Sequence, residues 1–306
     1  MTISPSTLDT WTNQGSTTNS SDTYSSVKNA IKNARYGLER DDFDHTYEIH
    51  LQGSYANNTN TYGSSDVDIV VRVTNPFEED LTDLTSREKE RFWAEYTDLS
   101  YEWYDFYSRV QRALRSYFGR NNIEVGDKAI KVKSTDDTPI SKDADVVACA
   151  DFRNYNAFPA DGTEKYDTGM FFRTQSTGRA IVNYSKIHRS NGTKKNENTN
   201  GRYKPTVRMF KNARDTAVNH DLLDSGVVSS YYLEGLLYNV PDEIIDEYDL
   251  QSRYLEIVDW CEGADIGNLL EQSQMYPLCR SGDPDRWSVE SANETIEAFA
   301  TLWDEY

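Results

Sequence analysis

The stretch from Leu51 to Val71 constrains this chain more than any other. It opens Leu-Gln-Gly53-Ser54; eleven residues later, Asp66-Val67-Asp68 leads into Ile69-Val70-Val71. The second half has strand composition. In a strand, side chains two apart share a face, with Cα atoms roughly 6.5–7 Å apart. Asp66 and Asp68 would therefore stand side by side while Val67 and Ile69 point the other way. Two such carboxylates repel unless a cation lies between them, and hard oxygen donors suit Mg²⁺. Gly53 lets backbone approach a ligand closely, and the residues after Ser54 can open a short helix whose free N–H groups face an anion. Alone, an Asp-x-Asp is an ordinary strand end and a Gly-Ser an ordinary turn. In this order and spacing they read as a phosphate cradle beside a carboxylate pair, the apparatus for nucleotidyl transfer on two metal ions.

Composition narrows the setting. A chain of 306 residues can hold one large or two ordinary domains. No apolar run reaches the eighteen or so residues that span a bilayer, and the N-terminus lacks a basic-then-apolar signal pattern. Cys149, Cys261 and Cys279 are odd in number and far apart, and His45, His50, His188 and His220 are scattered. Neither a disulfide framework nor a zinc site is indicated, and a reducing cytoplasm is the expected location. The net charge of −19 disfavours gripping long nucleic acid. Against that balance, Lys186, Arg189, Lys194, Lys195, Arg202, Lys204, Arg208, Lys211 and Arg214 face only Glu197, a local +8. Part of this run is expected to bind phosphate rather than merely form a solvated face.

Periodicity sketches the architecture. Residues 1–22 have the composition of a loose tail, although Trp11 and Gly15 suggest some packing. Val27, Ala30, Ile31, Ala34 and Leu38 predict an amphipathic helix over 23–40. Tyr47, Ile49 and Leu51 alternate as a first strand. Phe92, Tyr96, Leu99, Trp103, Phe106, Val110, Leu114 and Tyr117 predict one long helix ending before Gly119. Ile123–Val125 and Ile130–Val132 predict a hairpin around Gly126, and Ala144–Ala148, Met170–Arg173 and Ala180–Asn183 predict strands. Helices are expected from Pro205 to about Val218, from about Ser229 to Tyr238, and around Ile296 to Trp303. The layout is α/β: a mixed-sheet lobe over residues 1–195, then a helical lobe over 196–306, with nucleotide in a cleft between them.

A third carboxylate should stand on a strand next to that of Asp66. Asp145 enters the apolar run Val146-Val147 and is preferred over Asp143, which shares its face. The Gly-Ser, Asp-x-Asp and later carboxylate together resemble the signature of the polymerase-β-like nucleotidyltransferases. More narrowly, Gly53 to Val71, Ala144 to Ala148, Ile181 to Lys186, Tyr203 to Arg214 and Ser230-Tyr231-Tyr232-Leu233-Glu234 resemble the bacterial CD-NTases, as does the segment Leu8 to Thr23. These are relatives of animal cyclic GMP-AMP synthase and oligoadenylate synthase.

The resemblance implies a bilobed polymerase-β-like fold. It also implies a product: a cyclic di- or trinucleotide made from nucleoside triphosphates with release of pyrophosphate. Asp66, Asp68 and Asp145 would be the catalytic carboxylates and ligands of two Mg²⁺ or Mn²⁺ ions. Gly53, Ser54, Lys211 and Ser230 would touch the triphosphate, with Lys204 and Arg208 as further candidates. Asn183 would read an acceptor base or serve a structural role, and Tyr231 or Tyr232 would stack on a base or belong to the core. The setting implied is antiphage signalling of the CBASS type, with an effector encoded nearby that senses the product, and no nucleic acid requirement. The zinc-binding insertion of the animal enzyme has no counterpart, and the terminal Glu305-Tyr306 differs from the small residue of relatives joined to targets. Two alternatives stand: a nucleotidyltransferase that modifies a tRNA end or a partner protein, and a binding module with a decayed site.

Overall fold

The computed structural model describes residues 2–62, 66–96 and 103–306. In chain order its elements are α1 (Pro5–Thr12), α2 (Thr18–Asn33), β1 (Thr46–Leu51), α3 (Gly53–Asn57), β2 (Val67–Asp80), α4 (Ser86–Glu95), α5 (Trp103–Phe118), β3 (Ile123–Val125), β4 (Ile130–Val132), β5 (Ala144–Ala157), β6 (Lys165–Arg173) and β7 (Ala180–Asn183). Helices follow: α6 (Ser185–Asn198), α7 (Tyr203–Asn219), α8 (Ser230–Asn239), α9 (Asp242–Ile245), α10 (Leu250–Gly263) and α11 (Val289–Glu305). The chain divides into two compact units, one of Ser16–Tyr55 and Ser65–Lys186, the other of Met1–Gly15, Ala56–Ser64 and Ile187–Tyr306.

The first unit is built on a mixed sheet. Its strands run β1-β2-β5-β4-β3, and β6 and β7 extend it from β5. Strands β1 and β2 are antiparallel, β2 and β5 parallel, and β4 antiparallel to β5. Val67, Ile69, Val71 and Val73 of β2 share one face with Ala144, Val146 and Ala148 of β5, and all are buried. Val27, Ala30 and Ile31 of α2 and Phe106, Val110 and Leu114 of α5 are buried in the same unit. The Trp103 indole donates to the Ala148 carbonyl at 2.9 Å. The opposite face is mixed: Asp68, Arg72, Asp145 and Asp151 share it with the buried Val70 and Cys149.

The aromatic stripe does not make one helix. α4 ends at Glu95 and α5 starts at Trp103, while Leu99 lies outside the described residues. The two halves serve different cores. Phe92 and Tyr96 pack with Leu84, Tyr155 and Phe158 in a separate aromatic cluster, whereas the α5 half lies against the sheet. The N-terminal helix also differs from expectation, running over Thr18–Asn33 rather than 23–40.

The second unit is helical around one apolar core. The early segment has the packing that Trp11 suggested rather than the looseness of its composition: it forms helix α1, capped by Ser4, whose Oγ accepts from the Thr7 amide at 3.1 Å. α1 buries Leu8 and Trp11 in a core shared with Val207, Phe210, Leu233, Tyr254 and Phe299. Phe210 and Tyr254 stack at 4.9 Å. Among the described residues, no helix is long and apolar enough to cross a membrane.

Candidate active site

Strand pairing sets the geometry. Asp68 on β2 lies directly across from Asp145 on β5, and Asp145 lies across from Lys131 on β4. The three form a row on the polar face of the sheet, because Val67, Ala144 and Val132 beside them are fully buried on the other face. Asp66 sits immediately before β2, and Gly63, Ser64 and Ser65 ahead of it lie outside the described residues. Lys131 Nζ donates to Asp66 Oδ2 at 2.5 Å.

Gly53 begins α3 with φ +65, in the left-handed region that favours glycine. A Cβ there would stand 2.0 Å from Asp68 Oδ2. The glycine thus brings the helix start and a strand carboxylate into contact, and the Gln52 amide donates to the Asp68 carbonyl at 2.9 Å just before it. Gly53→Ala is expected to displace the Asp68 carboxylate and strain the backbone. A misplacement of about 1 Å at a reacting centre costs roughly 10²-fold in rate. Turnover of labelled nucleotide by a Gly53→Ala protein that still unfolds cooperatively measures this, and wild-type turnover would contradict it.

Asp143 has other duties. Its Oδ1 accepts from the Ser134 amide at 2.7 Å and its carbonyl from the Val67 amide at 2.8 Å, so it fastens a turn to the strand start. Asp145 is half-buried. Burial, followed by the like charge of Asp66, pushes its carboxyl above the usual range, with Lys131 opposing and Asp143 adding. The hydrogen bond to Asp66, against burial and with Asp145 and Asp143 adding, raises Lys131. This corner of the sheet therefore attracts positive charge, and an ammonium already stands in it. Its donors are oxygens, the type that a hard divalent cation prefers. Among the described residues no three such ligands are closed around one point.

Asn183, on β7, is across from Met170 of β6, which is itself across from Asp151 of β5. Its Oδ1 is buried and meets no hydrogen-bond donor among the described residues.

The remaining sequence candidates belong to the helical unit. Lys211 is 3% exposed, and its ammonium donates to Glu234 Oε1 at 2.6 Å, to Thr59 Oγ1 at 3.1 Å and to the Thr59 carbonyl at 3.2 Å. All three donors of an ammonium are thereby used. This corrects the expectation of a triphosphate contact: Lys211 is an internal ion-pair partner. Ser230 opens α8 after the capping Ser229, and its Oγ accepts from Arg214 at 3.2 Å. Lys204 is half-buried and reaches Thr193 Oγ1 at 3.5 Å. Burial, with the like charges of Arg189 and Arg208, lowers its ammonium below the ordinary lysine range.

The +8 run is mostly neutralised. Lys186 pairs with Glu48, Lys195 with Asp242, Arg202 with Asp246, Lys211 with Glu234 and Arg214 with Asp215. Arg208 is buried and donates to the carbonyls of Thr12 and Asn58, each at 2.6 Å. Of the two tyrosines, Tyr232 belongs to the core of the helical unit, whereas Tyr231 is half-buried. Tyr232 is fully buried, and Tyr231 stacks between His188 at 4.8 Å and Trp287 at 6.2 Å.

Two participants escaped the sequence reading. Lys131 was signalled, since its strand neighbours Ile130 and Val132 are apolar and turn it to the opposite face. Glu234 was quoted in the Ser-Tyr-Tyr-Leu-Glu motif, but nothing local marks its partners.

A Gly-Ser helix start pressed against a strand aspartate, with a register-matched aspartate on the next parallel strand, defines a nucleotidyltransferase. A family model for the nucleotidyltransferase domain matches residues 38–121, and one for the cGAS/DncV-like nucleotidyltransferase C-terminal helical domain matches residues 190–304. The chain is 36% identical to the cyclic UMP-AMP synthase of Rhodothermus marinus, over 99% of this chain and 98% of that one. It is 33% identical to cyclic nucleotide synthase CdnE01 of Staphylococcus haemolyticus over the whole of both. The solved structure of the Rhodothermus marinus enzyme with Apcpp and Upnpp superposes with a TM-score of 0.86 at 35% identity, covering 99% and 97% of the two chains. The chain belongs to the bacterial CD-NTase family of cyclic nucleotide synthases.

Proposed function

We propose that this protein joins nucleoside triphosphates into a cyclic di- or trinucleotide. In each step a ribose hydroxyl oxygen bonds to the α-phosphorus of a second nucleotide. The bond from that phosphorus to the pyrophosphate oxygen breaks, pyrophosphate leaves, and the hydroxyl proton is lost. The register pair Asp68–Asp145, with Gly53 held against Asp68, carries this reading.

Asp66, Asp68 and Asp145 would hold the divalent cations, Mg²⁺ or Mn²⁺ and two in number. Such ions, when bound, neutralise phosphate charge and acidify the attacking hydroxyl. The oxygen-only donor set and the raised Asp145 carboxyl favour that assignment. Asp145 orients the hydroxyl and can take its proton. The N–H groups at Gly53 and Ser54 are the phosphate-binding candidates of the sheet unit; Ser230 and Lys204 are those of the helical unit. Asn183, with its unmet carbonyl oxygen, accepts from the acceptor base. The protein's main work is positioning and charge neutralisation.

The setting is antiphage signalling in the cytoplasm, through an effector encoded nearby that senses the product. The buried, unpaired cysteines suit a reducing compartment. Modification of a tRNA end is the poorer reading, since the chain carries −19 and its basic run is largely paired internally.

The test is incubation with each labelled nucleoside triphosphate and with pairs, beginning with ATP and UTP, in Mg²⁺ or Mn²⁺. A small phosphatase-resistant product is expected without added nucleic acid. Because an acidic surface self-repels, thermal midpoint and turnover should rise together from low to moderate salt. Products that appear only with RNA or DNA, and vanish as salt rises, would overturn the reading.

A further inference from the structure

The row of carboxylates on the sheet carries a cation of its own. Ile130 and Val132 are fully buried on one face of β4, so Lys131 between them is turned to the face of Asp68 and Asp145. β4 lies two strands from β2, roughly 9–10 Å at the usual spacing. The Lys131 side chain reaches over β5, past its register partner Asp145, and its ammonium donates to Asp66 Oδ2 at 2.5 Å. Asp66 stands just ahead of the paired residues of β2, whereas Asp68 and Asp145 are fixed opposite one another by the ladder. Among the described residues, the three carboxylates do not close around one point.

Stability gives little reason for the contact. The Lys131 and Asp66 side chains are 34% and 33% exposed, and an ion pair so open to water adds little to a fold. Charge gives a better reason. Three carboxylates at −3 and one ammonium at +1 leave a formal −2, so Lys131 lowers the attraction of the row for any further cation. The ammonium also engages an oxygen of Asp66, the one carboxylate of the three that strand pairing does not fix.

We propose that Lys131 competes with divalent cations for Asp66: the ammonium holds that carboxylate toward β4, and Asp66 joins Asp68 and Asp145 only on its release. This rests on the metal ligands of the function proposed above, and adds to them a residue that keeps a bare ion weakly held.

The probe is Mn²⁺ alone, titrated into the nucleotide-free protein, with unbound ion read by electron paramagnetic resonance. Lys131→Met keeps most of the stem and removes the charge. It is expected to lower the Kd for Mn²⁺ about tenfold, the scale of one like charge removed beside a divalent ion near a surface. Lys131→Arg keeps the charge and should stay within about twofold of wild type. Thermal melts establish that each variant is folded, and Lys131→Gln makes the same charge change where Lys131→Met does not fold. Equal or weaker Mn²⁺ binding by the neutral variant, with Asp66→Asn impaired, shows the pair to be structural and overturns the inference. An Asp66→Asn protein that binds Mn²⁺ like wild type removes the ligand assignment, and the competition with it. Product formation is no part of these readouts, so failure of the synthase reading is scored apart from failure of this one.

Discussion

Asp145→Asn is expected to abolish product formation, by roughly 10³-fold or more, in a protein that remains folded. Its carboxylate is the register partner of Asp68, and its charge is the one that burial and Asp66 make costly. An amide removes that charge with almost no change of shape. Thermal midpoint in metal-free buffer should therefore hold or rise by about 1–3 °C. Triphosphate binding should persist, since Gly53, Ser54 and Asp68 remain. Asp143→Asn is the control. Its carboxylate accepts from the Ser134 amide, and an asparagine carbonyl can do the same, so its effect should be mild. Steady-state turnover, analogue binding and thermal melts on the two variants decide the matter. If Asp143→Asn is the inactive protein and Asp145→Asn the active one, the third carboxylate has been misassigned.

What could be read in advance divides along a physical line. Alternation exposed Asp68 and Asp145, because a strand with one buried face prints its register in the sequence. The apolar start of β5 was visible, but its 14-residue length was not, since the half from Asp151 onward mixes Arg153, Asn154 and Asn156 into the pattern. α6 was missed outright. It buries His188, Gly192 and Lys195 in place of an apolar stripe, and hydrophobic periodicity does not register such a helix. Gly192 is there because a Cβ would meet Gln272 Nε2 at 2.3 Å, a residue eighty positions away. The internal pairing of the basic run was hidden for the same reason. Charge is local in sequence, whereas neutralisation is not: Asp242, Asp246 and Glu234 lie 23 to 47 residues from the cations they pair with. A long aromatic stripe likewise conceals which core each ring will join, and here the rings of α4 and α5 join different ones.

Lys211 is where those two views give opposite experiments. As a phosphate ligand, its loss would leave stability alone and weaken triphosphate binding by roughly ten- to a hundredfold. As the buried partner of Glu234, its loss strands a carboxylate among Asn57, Thr59 and His188. Removing one member of a buried pair costs about 3–5 kcal/mol, so Lys211→Met should lower Tm by roughly 10 °C. The pH dependence follows from Glu234. Burial alone would push its carboxyl up, but Lys211 and His188 overcome that and hold it well below the ordinary range. A carboxyl depressed in the folded state stabilises fully above its unfolded value, near 4.3, and loses that contribution as pH falls toward its folded value. The deficit of Lys211→Met should thus be greatest at neutral pH and narrow below about pH 4. Lys211→Met combined with Glu234→Gln removes both charges and should recover most of the lost stability. A Lys211→Met protein that melts like wild type yet binds triphosphate poorly would return Lys211 to the phosphate site. A melt that drops, and recovers in the double variant, leaves it inside the fold.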